Sequence, residues 1–173
     1  MTSNKTPVVK NTDNQIGKIP VAKIQKNHKE KTNIQSNKVS ADTNEELSLL
    51  NSVQILLRTY GIERSHGSIR DLADISDGIF DFKDAVSALQ NLEFDSNVGV
   101  LTPSQITSGH CPLIIELKDR SKAVLVKAER KKEFVIYDES LDEKFKKVSY
   151  SEFKKIYAGG ALLVKSRRQQ RDD

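Results

Sequence analysis

The first regular pattern of apolar positions begins after Thr43, where Leu47, Leu50, Val53, Leu56, Leu57 and Tyr60 recur at helical intervals and mark one face of a helix. Thr43-Asn44-Glu45-Glu46 has the spacing of a capping box at its head, and Gly61 closes it. A second, shorter helix is predicted over Ser68–Ile75, capped by Ser68 with Asp71 three residues on. A third is predicted over Asp81–Leu92, with Phe82, Ala85, Val86 and Leu89 sharing a face, and Asp77-Gly78 is the turn between the two. Beyond Asn91 the period shortens to that of strands. Runs at Asn97–Leu101, Pro112–Leu117, Ala123–Lys127, Glu133–Tyr137 and Lys146–Val148, parted by turns such as Lys118-Asp119-Arg120 and Arg130-Lys131-Lys132, predict an antiparallel meander. Ser149-Tyr150-Ser151-Glu152 is another capping box, opening a helix through Tyr157, and Gly159-Gly160 leads into a last strand, Ala161–Lys165. Helices first and strands second give an α+β domain over residues 44–165, with the charged stretch 166–173 as a linker.

Residues 1–43 carry no such period, and their apolar residues are too scattered for burial to offset the entropy of ordering them, so this stretch reads as a disordered tail. Charge divides at the same place. The tail holds eight Lys against two Asp and one Glu, a net +5, while the whole chain is +4, which leaves −1 for everything after Thr43. A folded nucleic-acid interface needs its Lys and Arg on one face, interleaved with aromatic residues, and a body of net −1 offers none; nucleic acid is not an expected partner. The tail has two readings, a solvated leader or a polybasic arm in weak contact with an anionic membrane face. No apolar run is long enough to span a bilayer, no export-signal pattern opens the chain, and the single cysteine excludes an internal disulfide, so a soluble chain in a reducing, cytosolic setting is expected.

Candidate chemistry is sparse. His110-Cys111 juxtaposes a base and a thiol, but neighbours on a strand point to opposite faces, and a lone cysteine heading an apolar strand is expected to be a small buried hydrophobe. His28 and His66 have no partners at metal-ligand spacing, and no glycine-rich phosphate loop is present, so neither a metal nor a nucleotide cofactor is expected.

Four segments in series carry a resemblance: SLLNSVQILLRTYGI, then SIRDLADISDGIFDFKDAVSALQNLEF, then CPLIIELKDRSKAVLVKAERKKEFVIYDES, and finally VSYSEFKKIYAGGALLVK. In this order they resemble the peptidase family C39 domain, and more narrowly the peptidase-like version at the cytoplasmic N-terminus of type 1 secretion ABC transporters, which export haemolysins and large repeat adhesins. The resemblance implies a papain-like fold, with a nucleophilic Cys at the head of the first helix, a His on a mid-sheet strand, an Asp ending the next strand, and a Gln shortly before the Cys as oxyanion donor. Counting back from Tyr60-Gly61 puts Ser48 at the Cys position and Asp42 at the Gln position. The strand SKAVLVK puts Lys122, or Ala123 with a slip of one, at the His position, and FVIYD puts Asp138 at the Asp position, the one match.

A thiol protease needs a thiolate, an imidazole beside it and donors for the oxyanion, and the aligned positions supply none of the three. The resemblance therefore implies a catalytically dead domain that docks the unfolded secretion substrate, an RTX-type toxin or adhesin, on the cytoplasmic face of the bacterial inner membrane. Its other partners would be the transmembrane and nucleotide-binding domains of a transporter continuing past Asp173. Candidate contact residues are Tyr60, Phe80, Phe82 and Tyr137, with the cluster Arg130, Lys131 and Lys132 for acidic substrates. Two alternatives stand beside this reading: a leader-trimming peptidase using Ser48, with Lys122 as its base, or a distant His66, and a standalone interaction protein of the same fold. For Asp138 the plain expectation is a strand-end carboxylate that pins the following turn.

Overall fold

The computed structural model describes residues 40–167 of the chain, and α1 occupies residues 40–59 of these. Leu49, Leu50, Val53, Leu56 and Leu57 form its buried face. It ends in the turn Tyr60-Gly61, where Gly61 takes a φ of 73°, a region glycine enters without a side-chain clash. The predicted start needs correction. The helix is already formed at residue 40, so Thr43 lies inside it and 40–43 are not tail. Glu46, instead of closing a capping box, pairs with Arg70 and accepts the Phe80 N–H at 3.2 Å. Leu47, placed on the apolar face by the sequence, is exposed, and Leu49 takes its place. The tail reading of residues 1–39, together with His28 and most of the linker, lies outside the described residues.

Helix α2 (His66–Leu72) is capped by Ser65, whose hydroxyl accepts the Ser68 N–H, so the cap lies three residues before the one predicted. Helix α3 (Phe82–Asn91) is capped by Asp81, with Asp84 returning to the Asp81 N–H at 2.8 Å in a reciprocal box. Crowding of these two carboxylates and loss of solvent hold Asp84 above the usual carboxylate range, burial being the larger cause.

Six strands follow: β1 (Phe94–Val100), β2 (Leu113–Leu117), β3 (Lys122–Ala128), β4 (Glu133–Tyr137), β5 (Phe145–Ser149) and β6 (Tyr157–Ser166), with α4 (Tyr150–Ile156) before the last. They form one antiparallel sheet in the order β1-β6-β2-β3-β4-β5. The stretch from β2 to β5 is the predicted meander. The last strand does not extend it: β6 starts at Tyr157, directly after α4, and inserts between β1 and β2. Gly159-Gly160 thus lies within β6, where a Cβ on Gly160 would come 2.7 Å from Glu116 Oε2. A side chain there would have to displace the Glu116 carboxylate.

Alternation along the strands feeds two cores. Ile114, Val124, Leu162 and Val164 join the buried faces of α1, α2 and α3, while Leu113, Ile115, Leu125 and Ala161 face Phe134, Phe153 and Tyr157 on the other side. The second core is held by stacked rings, Phe134 on Phe153 at 4.0 Å between centroids and Phe153 on Tyr157 at 5.0 Å. Burial on both faces explains why the strands read as near-continuous apolar runs. Among the described residues, no helix is long and apolar enough to cross a membrane.

Candidate functional site

The β2–β3 hairpin delivers the site's central side chain. Asp119 Oδ1 accepts the Ser121 N–H and hydroxyl at 3.0 and 2.6 Å, and Arg120 holds a φ of 71°, so the chain reverses tightly and starts β3 at Lys122. These bonds from Ser121 also hold the Asp119 carboxyl below the usual range. Cross-strand register then sets Lys122 opposite Glu116.

Ser48 and Lys122, far apart in sequence, are brought together here. Ser48 Oγ accepts the Lys122 backbone N–H at 3.0 Å and donates to the Glu45 carbonyl at 2.9 Å. The Lys122 side chain is 3% exposed and donates to Glu45 Oε1 at 3.0 Å, Glu116 Oε1 at 3.1 Å and the Arg120 carbonyl at 2.8 Å. All three ammonium donors are thereby used, and an ammonium has no lone pair to offer a hydroxyl proton. Arg120 adds a second cation on Glu45 at 2.8 Å, and the Phe82 ring lies under Nζ at 5.3 Å from its centroid.

Helix position matters as much as side chain. Ser48 stands at least eight residues inside α1, so its N–H lies in the helical ladder and not among the unsatisfied donors of a helix start. Asp42 lines the same cleft, and an ionised carboxylate only accepts hydrogen bonds. Asp138 is engaged elsewhere: its Oδ1 accepts the Ser140 N–H and hydroxyl at 3.0 and 2.6 Å, which hold its carboxyl below the usual range. Neither histidine of the described residues bonds Ser48. His110 ends a single 3-10 turn, Ser108–His110, not a strand as predicted, and its Nδ1 accepts the Thr107 N–H at 3.0 Å. Cys111 follows it, with burial pushing its thiol up to about 11.

The cleft around Lys122 has a volume of about 490 Å³, with Leu49, Ile79, Phe80, Phe82 and Val98 as apolar wall. Of the four aromatic residues singled out in the sequence, only Phe80 and Phe82 lie here, and Phe80 is 1% exposed, so its ring serves the core. Tyr60 packs edge-on against Phe94 at 4.9 Å in the first core, and Tyr137 belongs to a separate groove. Arg130, Lys131 and Lys132 form the β3–β4 turn, as expected, with Lys131 at a φ of 59°. Sequence reasoning passed over Glu45 and Glu116, the anions that fix Lys122. The available signal was Glu116 six positions before Lys122 across a tight turn, the spacing of a cross-strand pair.

The model of the peptidase C39 family matches residues 36–169. The chain belongs to the peptidase C39 family. Solved structures of the same fold include the N-terminal peptidase C39 like domain of the toxin secretion ATP-binding protein from Vibrio parahaemolyticus, at 22% identity and a TM-score of 0.58, over 69% of this chain and 96% of that one. A double glycine motif protease from an AMS/PCAT transporter, in complex with the leader peptide, aligns at 18% identity and a TM-score of 0.55, over 68% of this chain and 82% of that one. The peptidase domain of Streptococcus ComA, a bi-functional ABC transporter of a quorum sensing pathway, aligns at 17% identity and a TM-score of 0.54, over 67% and 88%. No curated protein matches the chain.

Proposed function

We propose that this C39-family domain is a non-catalytic docking module of a type 1 secretion ABC transporter, which holds an unfolded exported polypeptide at the cytoplasmic membrane face before translocation. The observation that carries this reading is the saturated Ser48–Lys122 centre. Where a nucleophile and its base would stand, a hydroxyl is committed to two backbone groups and an ammonium to three acceptors. A serine–lysine pair works as nucleophile and base only when the amine is free to take the proton. A domain that keeps the fold but closes its reactive centre suits a cargo that must be held and not cut. The likeness to a domain of a toxin secretion ATP-binding protein supports the transporter setting.

The test is an NMR titration of the labelled chain with an unfolded segment of the protein exported by the neighbouring secretion operon, followed by mass spectrometry of the mixture. Localised shifts with intact peptide are expected. Ser48→Ala should bind as the parent does, while costing about 1 kcal/mol of stability because the Lys122 N–H loses its acceptor. Cleaved peptide, abolished by the same substitution, would establish a peptidase and overturn the docking reading.

A further inference from the structure

Helices α1 to α3 leave part of the sheet bare. Beside the C-terminal half of α1, the face of β3, β4 and β5 forms an open groove of about 550 Å³ between Ile55, Val126, Val135, Tyr137 and Phe145. Phe145 is 49% exposed and meets Tyr137 edge-on at 5.9 Å, an aromatic pair without a cover. A register shift between Leu125 and Lys127 bulges β3, so that Val126 and Lys127 both line this face. The groove is distinct from the Lys122 cleft: Ile55 follows Glu45 by ten residues along α1, about 15 Å.

Charge selects the occupant. The charged residues lining the groove are Arg58 and Lys127, both cations, in a body of net −1. Register puts Lys147 opposite Val135 on the same face, and it is exposed. Glu129, at the hairpin end, pairs with Lys127 at 3.0 Å; this contact, helped by Lys132 and Lys147, holds its carboxyl below the usual range. Arg58 has no ion pair among the described residues. Residues 1–39 of the chain, with eight Lys against two acids, carry the same sign as this rim and so lack the charge complementarity of an occupant.

We infer that this groove is the docking surface of the domain, and that it takes an extended, acidic polypeptide segment whose apolar or aromatic side chains seat against Tyr137 and Phe145 while its carboxylates meet Arg58, Lys127 and Lys147. The inference rests on the docking reading and adds to it the place and the chemistry of the bound segment. Such a surface captures unfolded chain by a repeated pattern and does not require one sequence.

The experiment titrates the labelled 173-residue chain with two short synthetic peptides, one rich in Asp and Glu with Leu or Phe at regular intervals, the other with Lys in place of every acid. The acidic peptide should move resonances of Ile55, Arg58, Val126, Tyr137 and Phe145, and lose affinity as NaCl is raised. Phe145→Ala and the double variant Arg58→Glu/Lys147→Glu change exposed side chains, and each should weaken binding about tenfold with an otherwise unchanged spectrum. Shifts confined to Ser48, Phe82 and Lys122 with intact peptide would keep the docking reading and overturn the groove. Equal binding of the Lys peptide would overturn the charge assignment. Shifts that depend on protein concentration without peptide, and vanish in Phe145→Ala, would make the groove a contact between copies. No binding of either peptide, or cleavage, would remove the docking reading itself.

Discussion

Lys122→Met is the sharpest probe of the centre, because methionine keeps the length and apolar packing of the side chain over Phe82 and deletes only the charge and its donors. Removing one partner of a fully buried ion pair costs about 3–5 kcal/mol, most of it from the charge left behind. Here the two anions are less enclosed: Glu45 and Glu116 are 27% and 32% exposed, and Glu45 keeps Arg120 at 2.8 Å. Both carboxylates can regain water, which lowers the expected cost to about 2 kcal/mol. In a domain of this size that is about 6–10 °C in Tm. Thermal and urea melts followed by circular dichroism read it directly, with an unchanged urea slope as the sign that only stability moved. Adding Glu116→Gln to Lys122→Met should recover part of the loss, since it removes the anion left unpaired, and the shortfall from additivity measures the coupling. A Tm equal to or above the parent's would refute the reasoning, because burying the ammonium would then cost as much as its three bonds return.

Gly160→Ala should destabilise by about 1 kcal/mol, since the new Cβ displaces a Glu116 carboxylate that Lys122 already holds; measured in the Lys122→Met background the loss should shrink, and full additivity would contradict the shared network. Asp138→Asn should lower Tm by a few degrees at neutral pH through weaker acceptance from Ser140. The Asp138 carboxyl lies below its ordinary 3.8 when folded, so its contribution is complete above that value and lost as pH falls through the folded one; the gap between parent and variant should begin to close only below 3.8, and a constant gap would dismiss the carboxylate as the cause.

Local chemistry was legible in part: the capping box at Ser149 opens α4 as predicted, whereas those read at Thr43 and Ser68 are not helix starts. Glu133–Tyr137 is a strand as predicted because Phe134 and Ile136 alternate with half-buried neighbours, while Asp81, read as the first residue of the third helix, is its cap. Long-range decisions were not. That residues 40–43 are helical was invisible in Ser40-Ala41-Asp42-Thr43, which has no apolar period; this part of α1 is tied down by distant partners of Glu45 and Glu46, on the β2–β3 turn and on α2. The place of β6 could not be read for the same reason, since insertion beside β1 depends on pairing across almost the whole domain. Ser48 and Lys122 were found through the family pattern, whereas the exposed Phe145 was passed over because a short strand of Lys and Ser around one ring offers little apolar signal.

The place of Ser48 along α1 bears on the site as much as its side chain does. A nucleophile at the head of a helix has unsatisfied N–H groups beside it and the positive end of the dipole to favour its anion. With at least eight residues of helix before it, Ser48 lies inside the hydrogen-bonded ladder, away from the free N–H groups and the positive end of the dipole, and the docking reading expects this position to matter as much as the side chains at Asp42, Ser48 and Lys122. The consequence is testable by restoring the side chains without the geometry. The triple variant Asp42→Gln, Ser48→Cys, Lys122→His should fold, yet leave a double-glycine leader peptide intact over a long incubation followed by mass spectrometry. Its cysteine should also react with a thiolate-directed alkylating agent at the rate of an ordinary thiol, because the helix interior offers its sulfur no free N–H. Cleavage of the peptide, or alkylation many times faster than a free thiol at the same pH, would show that the helix around Ser48 is no obstacle to this chemistry and would refute the reasoning.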